Sequence, residues 1–168
     1  MTVRTADDAA NLVAHIRKHA TMLGEVREQI TATFEHDVPL IGKTGRAAVL
    51  VAGLLENYYT CAETIFVRIA RFFENNVSPD TWHKDLLERM ALEIDDVRPR
   101  VVADETKRDL TELLRFRHFR RYYYGTAYDW DRLEELTARV ARIHEPLLGE
   151  LERFSDFVRS VAELGRSE

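Results

Sequence analysis

The chain has 168 residues, 45% of them apolar and 32% charged, with a formal net charge of −5, which suits one domain spanning residues 1–168 around a single core. No uncharged apolar stretch approaches the ~18 residues of a membrane span, and Asp7 and Asp8 stand where a signal peptide needs an apolar run, so the expectation is a soluble, cytoplasmic protein with no membrane association. The lone Cys61 excludes an internal disulfide, and its apolar helical setting reads as a buried thiol rather than a nucleophile.

Leu12, Val13, Ile16, Leu23, Val26, Ile30 and Phe34 recur at three- and four-residue steps and predict a first helix over about Ala6 to Glu35. Pro39, Gly42 and Gly45 interrupt the pattern. Ala47 to Phe73 is a long apolar run without proline and predicts a buried second helix. Ser78-Pro79-Asp80 combines an N-cap serine, a proline at the first helical position and an acid at the positive dipole end; it predicts a third helix to about Val97, closed by Pro99. A fourth helix, capped by Asp104, continues through Leu110, Leu113 and Leu114 and ends at Gly125 as a C-prime glycine. A fifth, capped by Asp129, carries Leu133, Leu136, Val140, Ile143 and Leu147, with Pro146 expected to kink or split it. No stretch alternates as a strand does, so the fold class is all-α, an antiparallel bundle of about five helices.

Chemistry is concentrated in residues 115–125, RFRHFRRYYYG. Four arginines fall within seven positions of an acidic chain, and a local field of that kind attracts polyanions despite the negative total. On a helix, Arg117 and Arg121 are one turn apart, as are His118 and Tyr122, and Tyr124 lies two turns from Arg117, so guanidinium, imidazole and phenol are expected on one stripe. Phosphodiester cleavage needs such a set: a base for the 2′-hydroxyl and cations for the developing dianion. Glu56 and Glu63 share one face of the apolar second helix, and the arginines of the fourth helix are the cations available to them, either as structural ion pairs or as a catalytic carboxylate.

Other motifs carry less. Gly42-Lys43-Thr44 lacks the earlier glycine and the preceding strand of a phosphate loop. His15 and His19 have i,i+4 spacing but no third ligand nearby, and His36 and His144 read as surface hydrogen-bonding residues, so no metal or cofactor is expected. Trp82, Leu86 and Met90 share helical spacing and read as a core stripe rather than a base-stacking platform.

Three blocks, LLENYYTCAETIFVRIA, TWHKDLLERMALEIDDVRPRVV and LLRFRHFRRYYYGTAYDWDRL, resemble in order and spacing the HEPN superfamily, specifically its HepT-like ribonuclease toxins. The resemblance implies a small helical bundle acting as a homodimer, metal-independent endoribonuclease activity where the two subunits meet, and a minimal nucleotidyltransferase antitoxin as partner. The family motif runs arginine, four residues, histidine, one residue, tyrosine, with a polar residue after the arginine. Arg117 takes the arginine place, His118 the polar place and Tyr124 the tyrosine place, whereas Tyr122 stands where the histidine is expected. A phenol ordinarily titrates near ~10 against ~6.5 for imidazole, so the base is either Tyr122, its pKa lowered by Arg117 and Arg121, or His118, one turn away. The resemblance thus assigns Arg117, His118 and Tyr122 to catalysis, with Arg121, Arg120 and Arg115 holding flanking phosphates of RNA. It makes Tyr124 the acceptor of an AMP group that blocks the toxin. The alternative expectation is a degenerate bundle that binds nucleotide, RNA or the nucleotidyltransferase without cleavage.

Overall fold

The computed structural model describes residues 6–74 and 82–164, with the side chains of 82–84 and 164 outside that description. Its order is α1 (Ala6–Ala32), a π-helical turn (Thr33–Asp37), the short α2 (Val38–Ile41), α3 (Gly45–Phe73), α4 (Trp82–Met90), α5 (Asp104–Tyr122) and α6 (Trp130–Leu164). Five of the helices exceed one turn, and no strand occurs among the described residues, so the chain is an all-α bundle.

The apolar α3 forms the centre and packs against α1, α4, α5 and α6. Its Val51, Ala52, Leu55, Tyr58, Tyr59, Ala62, Ile65, Phe66 and Ile69 are buried, and they join Leu12, Ile16 and Leu23 of α1 with Leu133, Leu136, Leu147 and Leu151 of α6 in one core cluster. Cys61 lies in that cluster as expected, its thiol donating to the His19 carbonyl at 3.3 Å and pushed up by burial to about 11. Leu86 and Met90 are also core residues, while the side chain of Trp82 and the Ser78-Pro79-Asp80 start signal lie outside the described residues.

Several boundaries differ from the sequence expectations for local physical reasons. Helical structure continues past Glu35 to Ile41, because the Val38 N–H reaches back five residues to Thr33 and Pro39, which has no N–H to place, follows directly. Gly42 then turns the chain at φ +74°, and Thr44 caps α3 by accepting from the Ala47 N–H at 3.2 Å. Helix α4 stops at Met90, not near Val97. The acidic run Glu93 to Asp96 is disfavoured at the negative end of a helix, and Arg98 occupies the carbonyls there instead, donating to Arg89 O at 3.0 Å and Leu92 O at 3.1 Å. Arg98 is buried and is neutralised by Glu74 of α3 at 2.6 Å.

The N-cap of α5 is Ala103, not Asp104, and it has no capping side chain. Glu150 of α6 replaces one, accepting from the Ala103 N–H and the Thr106 hydroxyl at 3.1 Å each. At its other end α5 stops at Tyr122, three residues short of Gly125, and Tyr123 is already extended. Asp129 does cap α6, accepting from the Asp131 N–H at 3.0 Å, and α6 runs unbroken through Pro146. His144 is a core residue, not a surface one: its Nδ1 bonds the Tyr58 hydroxyl at 3.1 Å. Burial holds its imidazole below the usual range.

An imidazole harder to protonate folded than unfolded gives full stability above the unfolded value near ~6.5 and loses it as pH falls below that value. Denaturant melts of the wild type at pH 7.5 and 5.5 are expected to differ by up to ~1 kcal/mol more than those of His144→Asn, with the wild type weaker at the lower pH.

Candidate functional site

Helix α5 runs antiparallel to α3, and two carboxylates on α3 fix its arginines. Arg117 Nη1 meets Glu63 Oε2 at 2.5 Å, and one turn on Arg120 pairs with Glu56. Both expected ion pairs are therefore present. Glu63 is 7% exposed at its side chain and Arg117 17%, so this pair is largely withdrawn from water. The Arg117 guanidinium also lies 5.7 Å from the ring centre of Tyr59, a cation–π contact. Burial beside the Glu63 charge raises the Tyr59 phenol well above its ordinary range and keeps that ring neutral.

Arg120 is turned inward. Its guanidinium lies over Gly53 of α3, where a β-carbon would meet it at 3.6 Å, and its Nε is buried. Of the four clustered arginines, Arg117 and Arg120 are the two committed to helix packing. Arg115 faces out and pairs with Glu112, while Arg121 is exposed.

Arg117, His118 and Arg121 converge with Leu114 around a small depression of about 30 Å³. His118 and Tyr122 pack edge to face with ring centres 5.4 Å apart, both toward solvent. The expected stripe is thus assembled as far as Tyr122. Tyr124 is not part of it, because α5 has ended: Tyr124 is 93% exposed in the following turn. His15 and His19 gain no further ligand, and no group of three His, Cys, Asp or Glu that could share a metal occurs among the described residues.

A feature the sequence reading missed lies on the other flank of α5. Phe116, Phe119, Tyr123 and Tyr128 line a cavity of about 450 Å³, with Arg115, Ala127, Asp129 and Arg132 around it. The signal was the i,i+3 spacing of Phe116 and Phe119, which the arginines between them obscured.

A bundle with no helix long and apolar enough to cross a membrane among the described residues, carrying cations, an imidazole and phenols on one outward helix face, defines a class of surface rather than a particular protein. The family profile of HepT-like proteins narrows it, matching residues 50–158 from α3 to α6 and including both carboxylates and the whole cluster. The chain belongs to this HepT-like family, a HEPN-type toxin family associated with toxin–antitoxin systems. No curated protein and no solved structure matches it.

The α3–α5 pairing predicts a measurable coupling. A double-mutant cycle on Glu63→Gln and Arg117→Gln is expected to give ~1–3 kcal/mol. The same cycle on the exposed Arg115 with Glu112 should stay below ~1 kcal/mol.

Proposed function

We propose that this protein is an endoribonuclease toxin that cleaves RNA without a metal at the Arg117, His118, Arg121 and Tyr122 surface. The observation that carries the reading is the setting of Arg117: Glu63 and Tyr59 hold its guanidinium, and the same side chain lines the depression shared with His118 and Arg121. A fork held in this way meets a phosphodiester without first being ordered. His118 takes the proton of the 2′-hydroxyl, the freed oxygen attacks phosphorus, and Arg117 and Arg121 stabilise the dianion. The 5′-oxygen leaves with a proton from solvent or Tyr122. Tyr122, packed against the His118 ring, orients the base.

Arg115 holds a flanking phosphate, Arg120 sets the position of α5, and Glu56 and Glu63 support the arginines rather than react. The active assembly is a homodimer. Leu40, Ile41 and Leu50 are exposed where α3 begins and α5 ends, and apolar surface at that end suits a second copy. The antitoxin is a nucleotidyltransferase that places AMP on the exposed Tyr124, and the added phosphate then competes for the arginines.

A second reading, a degenerate bundle that binds without cutting, is favoured by one observation, the phenol of Tyr122 in the family's histidine place. Cleavage assays of RNA in EDTA separate the two. The wild type is expected to cut and Arg117→Ala to lose ~10²–10³ of the rate. A silent wild type that gains activity as Tyr122→His favours the second reading, and equal rates for wild type and Arg117→Ala defeat the first. With the nucleotidyltransferase and ATP, mass spectrometry should find AMP on the wild type and on Tyr122→Phe but none on Tyr124→Phe.

A further inference from the structure

The cavity beside α5 is built, not incidental. Its floor is the buried Phe116, 6.2 Å from Tyr128 between ring centres. Phe119 and Tyr123 stack at 4.9 Å and 23°, and Tyr123 meets Tyr128 edge to face at 5.2 Å. Tyr123 is locked in place: its hydroxyl donates to the Ala127 carbonyl at 3.3 Å, and the ring folds so closely over Gly125 that a β-carbon there would stand 2.7 Å from the phenol oxygen. A side chain at Gly125 would therefore push aside the Tyr123 ring that walls the cavity. Phe119 remains half exposed, leaving an aromatic surface open to a ligand.

Helical geometry joins this cavity to the proposed reaction surface. Arg115 and Tyr122 each stand at i,i+3 and i,i+4 spacing from His118 and Phe119, and the four form one diamond on the outer face of α5. The volume of about 450 Å³ falls in the range of roughly 300–1,000 Å³ typical of small-ligand sites, enough for one heterocycle. At the lip, Arg115 is 70% exposed at its side chain and tied only to Glu112, a weak surface pairing it can leave to meet a phosphate. Asp129 presents a carboxylate acceptor to a ring N–H or exocyclic amine. Arg132 and Arg115 share Glu112, so local charge is nearly balanced and ring stacking supplies the affinity.

We propose that this cavity receives one unpaired nucleobase of the RNA, stacked on Phe119, with its phosphate at Arg115 and the strand passing over His118 and Tyr122 toward Arg117 and Arg121. The inference rests on the RNA reading above and adds a substrate class to it: single-stranded RNA is taken, and base-paired RNA, whose bases are already stacked on one another, is not.

The test is fluorescence anisotropy with a labelled single-stranded oligoribonucleotide and with the same sequence paired in a hairpin stem. The wild type is expected to prefer the single strand. Phe119→Ala should weaken single-strand binding by about 5- to 100-fold and leave hairpin binding unchanged. Phe119→Leu keeps apolar volume but not the ring, so it should also lose affinity, whereas Phe119→Trp should retain it. Arg121→Ala should weaken both RNAs. Unchanged single-strand affinity in Phe119→Ala and Phe119→Leu, with Arg121→Ala impaired, overturns the base site alone and leaves the cavity to a protein side chain. Failure of the wild type to bind either RNA overturns both this site and the RNA reading.

Discussion

Burying a carboxylate inside an apolar helix bundle costs several kcal/mol unless a cation meets it, and α3 carries a buried carboxylate at Glu63 and a half-buried one at Glu56. Both are neutralised from α5. That constraint sets the depth and rotation of α5 against α3, since Arg117 and Arg120 reach their partners only if the helix lies as it does. Gly53 takes part by leaving the Arg120 guanidinium a place against the α3 backbone. Both arginines are in this sense structural, and Arg117 also lines the depression beside His118 and Arg121.

The remaining attachments of α5 follow the same logic. Asp109 is buried between α5 and α6, where burial would raise its carboxyl, yet hydrogen bonds from Arg142 and Arg139 hold it below the usual range. Glu150 supplies the missing cap at its start. Fixed at its beginning, middle and end, α5 presents Arg121, His118 and Tyr122 from a backbone held at several points, so their arrangement is preset.

Much of this was legible in the sequence. The apolar period of α3, the cap at Asp129 and the seven-residue spacing of Glu56 and Glu63 depend on local pattern or on one face of one helix, and all three are as read. What could not be read depends on contacts distant in sequence. The end of α4 is decided by Arg98 reaching Glu74, the cap of α5 by Glu150, and the burial of His144 by Tyr58. Gly125 had the composition of a C-prime residue, but its lack of a side chain serves the Tyr123 ring. The aromatic cavity shares this origin, since Tyr128 reaches it from the turn before α6.

Helix α5 differs in kind from its neighbours. Two of its five buried residues, Thr106 and Asp109, are polar, and guanidinium–carboxylate pairs to α3 and α6 supplement the core contacts of its Leu110, Leu113 and Phe116, whereas α1, α3 and the middle of α6 adhere mainly through Leu, Ile, Val and aromatic rings. Acid and salt weaken the first kind of contact and leave the second largely intact. The helix bearing the proposed site is thus fastened by two chemistries, and solution conditions can weaken the ionic one while its apolar residues stay in the core.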